Sequence, residues 1–205
     1  MTLLGLDFDN TLVRYDKLFH QLALEKGLIE KSLPADKTAI RDYLRSQEQD
    51  EQFTLLQGEV YGLRILEAEP AEGMLKALGE LHQRAIPMVL VSHKTRTPYK
   101  GPGYDLHQAA WRWLEKYGFF DPHGLGWSRD QVFFEVSKQA KVKRIAAQKC
   151  THYVDDLPEI LEMIPTGIKT ILFAPTKEPS KETLPNKKIT ILGKWSKIMD
   201  LMECI

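Results

Sequence analysis

Apolar residues in this chain gather in short runs, over 3–8, 88–91, 132–134, 153–154, 170–173 and 189–192. The first, Leu3-Leu4-Gly5-Leu6, is continuous rather than alternating, as expected of a strand buried on both faces. Between the later runs the apolar positions take a helical spacing, over 74–84, 106–117, 142–149 and 157–164. Strands alternating with helices predict an α/β fold, a Rossmann-like three-layer core with a mostly parallel sheet. In such open sheets ligands bind beyond the carboxyl ends of the strands.

The stretch 14–69 breaks the alternation and is helical throughout. Phe19, Leu22 and Ala23 form one apolar stripe, Ile40, Tyr43 and Leu44 a second, and Phe53, Leu56, Val60 and Leu63 a third. Pro34 suits the first turn of the second helix, and Pro70 suits a new start after the third. The expectation is an inserted helical subdomain over 14–69, a lid, within a core made of 1–13 and 70–205.

At the end of the first run stand Asp7-Phe8-Asp9-Asn10-Thr11. Side chains two apart on a strand share a side, so Asp7 and Asp9 are expected to point together while Phe8 turns away. Ionisable groups that close to a core are costly unless a cation or strong donors compensate them. Three further features fall after a strand or at the opening of the next helix. Ser92 ends Met-Val-Leu-Val-Ser, Lys141 lies in Ser-Lys-Gln-Ala-Lys-Val-Lys, and Asp155 and Asp156 end Thr-His-Tyr-Val-Asp-Asp.

Together, in this order, these residues resemble the four signature motifs of the haloacid dehalogenase-like (HAD) superfamily: Asp-x-Asp-x-Thr, a strand-terminal Ser or Thr, a Lys near a helix start, and an acidic pair. The resemblance covers about 1–13 and 70–175, and the segment 14–69 resembles that family's α-helical cap inserted after the first motif. It implies a Mg²⁺-dependent phosphatase acting on a small phosphorylated metabolite. Asp7 would attack phosphorus to form an aspartyl-phosphate, and Asp9 would serve as general acid and then base. Mg²⁺ would be held by Asp7, the backbone carbonyl of Asp9, Asp155 and Asp156. Lys141 and the Ser92 hydroxyl would bind the phosphoryl group, with Thr11 and the backbone around Asn10 beside them. Lys138 remains the second choice to Lys141, and Glu159 could replace Asp156, which could instead cap the following helix.

A phosphotransferase or phosphomutase needs the same residues, and a non-catalytic phosphate- or protein-binding module could retain the fold. Carbon–halogen cleavage leaves Asp9 without a task. A response-regulator receiver would not carry this motif order or so large a helical insert. The loop from His93 to Tyr104 is basic and springs from the expected site edge, offering Lys94, Arg96 and Lys100 either to a substrate or merely to solvent.

Composition narrows the classes. With 205 residues, 43% hydrophobic and 27% charged, the chain is of ordinary globular make-up. Its 28 basic and 28 acidic residues balance, so neither nucleic acid nor an anionic membrane is an expected partner. No apolar stretch is long enough to cross a bilayer, and early acidic residues argue against a signal peptide. Cys150 and Cys204 are expected to be reduced thiols in a cytoplasmic protein. Oligomeric state has no signal in the sequence.

Overall fold

The computed structural model describes residues 2–175, 181–184 and 187–203. In chain order the strands and α-helices are β1 (Leu4–Leu6), β2 (Val13–Arg14), α1 (Asp16–Glu25), α2 (Lys37–Ser46), α3 (Asp50–Gly58), β3 (Glu69–Pro70), α4 (Met74–Gln83), β4 (Met88–His93) and α5 (Leu106–Lys116). They continue with β5 (Val132–Glu135), α6 (Lys138–Ala147), β6 (His152–Asp155), α7 (Pro158–Met163), β7 (Lys169–Phe173), β8 (Lys181–Leu184), β9 (Lys187–Leu192) and α8 (Ile198–Glu203). The chain divides into two compact units. One comprises Met1–Val13, Pro70–Lys94 and Gly118–Ile205, the other Arg14–Glu69 and Thr95–Tyr117.

The first unit holds a seven-stranded sheet in the order β5-β4-β1-β6-β7-β9-β8. Its ladders are parallel except for β8, which runs antiparallel to β9. This is the α/β, mostly parallel three-layer fold that the alternation predicts. After β1 the chain adds β4 and β5 on one side, then crosses to add β6 and β7 on the other. β1 therefore lies where the winding reverses, the usual place for a ligand in such sheets. Leu4 and Leu6 are fully buried, as the continuous apolar run requires.

Gly5 sits where no side chain fits. A Cβ there would lie 2.6 Å from the Tyr153 ring and 2.9 Å from Cys150 Sγ. Tyr153, on β6, spreads its ring over Gly5 of β1, and its hydroxyl donates to the carbonyl of Val91 on β4. One side chain thus links the adjacent strands β4, β1 and β6 beneath their carboxyl ends. α6 begins at the cap Ser137, whose side chain accepts from Ala140 N–H at 3.1 Å, and it buries Lys141 and Ile145.

The second unit is helical. α1 buries Leu18, Phe19, Leu22 and Ala23, α2 buries Ile40 and Leu44, and α3 buries Phe53 and Leu56. A π-helical turn, Glu59–Leu63, continues α3. Residues 95–117, which the sequence pattern assigns to the core, belong to this unit. The Trp113 indole donates to the Ala68 carbonyl at 2.9 Å, and Tyr104 packs so tightly on Gly62 that a Cβ there would meet it at 2.6 Å.

Several local expectations are corrected. α2 starts after Asp36, whose carboxylate accepts from Ala39 N–H at 2.7 Å, so Pro34 precedes the cap instead of lying in the first turn. Pro70 lies in β3, and the next helix waits for Gly73, a left-handed residue with φ 74°. Leu63 is 58% exposed and leaves its stripe, because the π-helical turn shifts the face by one residue. The stretch 175–188, whose Pro/Lys/Glu-rich composition suggests an exposed loop, carries strand β8 and the start of β9, while 176–180 and 185–186 lie outside the described residues, as does Cys204.

Candidate active site

Three adjacent parallel strands end in polar residues, and the register brings those ends level. Leu6 is opposite both Leu90 and Val154, so Asp7 follows β1 at the height where Asp155 ends β6, with Ser92 on β4 beside them. The Asp7 N–H donates to the Val154 carbonyl at 2.9 Å, carrying the ladder one residue past the strand. The chain then turns off the sheet through Asn10, at φ 57°, a conformation Asn tolerates better than most residues. Leu12 and Val13 donate their N–H groups back to the Phe8 carbonyl at 3.0 and 3.1 Å and close the turn.

Asp7 is buried and accepts from three side chains. The Ser92 hydroxyl reaches Oδ1 at 2.9 Å, the Lys141 ammonium reaches Oδ1 at 2.6 Å, and the Thr11 hydroxyl reaches Oδ2 at 3.3 Å. The same ammonium donates to Asp155 Oδ2 at 2.6 Å, while Asp155 Oδ1 accepts from Leu157 N–H at 2.9 Å. Lys141 is 2% exposed. Burial alone would lower its pKa, but the charges and hydrogen bonds of Asp7 and Asp155 outweigh that and hold it above its ordinary value.

Of the two lysine candidates, Lys138 points elsewhere and pairs with Glu159 at 2.8 Å on an exposed flank. That pairing also takes Glu159 away from the cluster. The second acidic group beside Asp155 is Asp156. It caps no helix: α7 starts from Leu157 with Pro158 in its first turn and no side-chain cap.

Carboxylate oxygens of Asp7, Asp155 and Asp156 lie within 4.8 Å of one another. Burial, with the neighbouring charge of Asp7, pushes the Asp155 carboxyl well above the usual range. Asp156 is raised by burial and by both neighbours, against a smaller lowering from Lys141 and the Asn10 side chain. Three carboxylates facing one ammonium leave an excess of negative charge that a divalent cation would neutralise. An all-oxygen, mostly anionic set of donors suits a hard one.

Asp9 stands apart from that cluster. Both its oxygens accept from the Lys94 ammonium, each at 2.8 Å, and Lys94 is buried, with 4% exposure. Of the two readings of Lys94, a substrate contact or a solvated charge, burial rules out the second. The signal was present: Lys94 follows Ser92 by two positions and so shares its side of the strand. The other cations of that loop do behave as surface groups in the helical unit, Arg96 with Asp105 at 3.3 Å and Lys100 with Glu51 at 2.9 Å. His93 is half-buried, and burial lowers its pKa, with the charge of Lys141 adding to the effect.

No protein-family model matches the chain, and no curated protein matches it in sequence. Solved structures do share its fold. A HAD-superfamily hydrolase of subfamily IA from Geobacter sulfurreducens PCA is 12% identical, with a TM-score of 0.55 over 98% of this chain and 96% of that one. An L-2-haloacid dehalogenase from Xanthobacter autotrophicus, with chloropropionic acid covalently bound, is 12% identical, with a TM-score of 0.54 over the full length of both. Protein tyrosine kinase A of Mycobacterium tuberculosis is 15% identical, with a TM-score of 0.64 over 98% of each chain. At such identities the likeness is one of fold. The chain has the three-layer α/β fold of the HAD-superfamily hydrolases, and no helix among its described residues is long and apolar enough to cross a membrane.

Proposed function

We propose that this chain is a magnesium-dependent phosphomonoester hydrolase of the HAD superfamily, acting on a small phosphorylated metabolite. The observation that carries the reading is the environment of Asp7. Its carboxylate is held by Ser92, Thr11 and Lys141 at the carboxyl edge of the sheet, within reach of the buried carboxylate of Asp155 and the partly buried one of Asp156. Asp7, Asp155 and Asp156, with the backbone carbonyl of Asp9, would hold Mg²⁺. Bound there, the ion would neutralise the cluster and the charge of the phosphoryl oxygens.

The chain's own residues have distinct tasks. An oxygen of Asp7 attacks phosphorus in line as the ester oxygen departs, giving an aspartyl-phosphate. Asp9 gives its proton to the departing oxygen, then takes one from the water that attacks the aspartyl-phosphate, so that Asp7 and inorganic phosphate are released. Lys141 and the Ser92 hydroxyl, already directed at Asp7, present donors to the phosphoryl oxygens.

Several neighbours in fold are described as dehalogenases. A halide leaves without a proton, so dehalogenation would give Asp9 no task, and an acidic trio would repel a haloacid's carboxylate. Phosphoryl transfer to an acceptor other than water uses the same groups and is separated by its products.

The test is phosphate release from an aryl phosphate with and without Mg²⁺. Turnover is expected to require the metal and to fall by at least about 10³-fold in Asp7→Asn, the order of loss seen when a covalent nucleophile is removed. Unchanged turnover in that variant would falsify the assignment. Halide release from a 2-haloacid, with no phosphate release from a broad panel of esters, would favour the dehalogenase instead.

A further inference from the structure

We propose that Lys94 is the positioning residue for Asp9, anchoring the carboxylate by one oxygen while the other turns to the leaving group. This rests on the reading of Asp9 as the proton carrier. The geometry is that of a fixed post. The Lys94 backbone N–H donates to the Glu135 carbonyl at 2.8 Å, extending the β4–β5 ladder one residue beyond the strand. Its ammonium lies 5.3 Å from the centre of the Phe8 ring, which is fully buried and braced edge-on by Phe134 at 5.8 Å.

The lysine end of this pair is fixed and the carboxylate end is accessible. The Lys94 side chain is 3% exposed, whereas that of Asp9 is 26% exposed. A half-exposed aspartate has several rotamers open to it in water. Two equal contacts of 2.8 Å to an immobile cation select one of them. Because each oxygen has its own contact, one can be released without losing the other. A surface lysine could not do this, since its own freedom would be shared with its partner.

The test measures kcat/KM with Mg²⁺ for a series of phosphate monoesters, from nitrophenyl to simple alkyl esters. A nitrophenolate leaves with little need of a proton, an alkoxide with great need, so the series reports how well the acid is placed. A well-placed general acid contributes about 10²–10⁴-fold. Lys94→Met is expected to lose at least about ten-fold more on alkyl than on nitrophenyl esters, a modest part of that contribution. Lys94→Arg should recover most of the difference. In an Asp9→Asn background, Lys94→Met should steepen the leaving-group dependence no further.

An equal loss across the series, or an added loss in the Asp9→Asn background, would overturn the proposal and make Lys94 a packing residue. Thermal unfolding of each variant is followed alongside. If Lys94→Met does not fold, Lys94→Gln, which keeps a donor without the charge, is read in the same way. A wild-type enzyme inactive on every ester, or an Asp9→Asn enzyme with unaltered leaving-group dependence, would instead sink the hydrolase reading itself, and the role of Lys94 with it.

Discussion

Lys141 and Lys94 are both buried cations ending among carboxylates, yet their surroundings differ in charge. Lys141 bridges Asp7 and Asp155, with Asp156 close by, and so faces more negative charge than it can neutralise. Lys94 meets Asp9 with an oxygen for each of two N–H donors. The first arrangement is incomplete without a further cation. The second is complete, and its value lies in orientation. With Asp7 and Asp9 only two positions apart, the fold has built one place that attracts charge and another that directs it.

The sharpest way to separate the two is to remove each ammonium in turn and measure stability in the presence of a chelator. Lys141→Met strips the partner from buried carboxylates, and breaking a buried pair in this way typically costs about 3–5 kcal/mol. Lys94→Met should cost clearly less, because the half-exposed Asp9 can be hydrated in its place. Equal losses in thermal or denaturant unfolding would erase the distinction.

Acidity tests the charge excess directly. Burial raises Asp155 and Asp156 above their ordinary values, so in this range the folded chain binds more protons than the unfolded one. Without metal, stability should therefore fall as pH rises from the ordinary carboxylate value of about 4 towards the raised ones, by up to about 1.4 kcal/mol per pH unit for each proton. Mg²⁺ should flatten this slope, since it favours the ionised forms. A metal-free protein whose melting temperature rises through that window would contradict the electrostatics described above. The smallest effect belongs to Lys138→Met. Its pair with Glu159 lies at the surface, and both stability and turnover should change by less than about 1 kcal/mol.

How much of this was legible from the sequence depended on whether the signal was local. Asp7 and Asp9 at the end of an apolar run, Ser92 ending another and Asp155 ending a third all sit at strand ends that the hydrophobic pattern itself marks. Lys141 could be ranked above Lys138 by its place in the motif, but the helical pattern cannot separate them, since residues three apart share a face: Lys138 opens α6 and pairs with Glu159 at the surface, whereas Lys141, one turn further in, meets Asp7 and Asp155. Lys94 was left open because its neighbours Arg96 and Lys100 are ordinary surface cations, and composition cannot tell a buried lysine from an exposed one. The assignment of 95–117 failed for a similar reason. Leu106–Lys116 is plainly an amphipathic helix, but its partners are set by contacts such as Trp113 with Ala68, between residues far apart in the chain. Gly58 and Gly62, spaced four apart in a helical stretch, were the available hint that another segment packs closely there, against Pro98 and Tyr104.

Tyr153 packs beneath the strand ends that carry Ser92, Asp7 and Asp155. Its ring fills the hollow left by Gly5, and its phenol, kept protonated by burial, grips the main chain at Val91. The strands bearing Ser92, Asp7 and Asp155 are thereby spaced by a single rigid plate from underneath. The spacing of these three side chains is thus supported from beneath by one aromatic residue, and tolerance to change at Tyr153 and Gly5 should be as low as among the side chains above them.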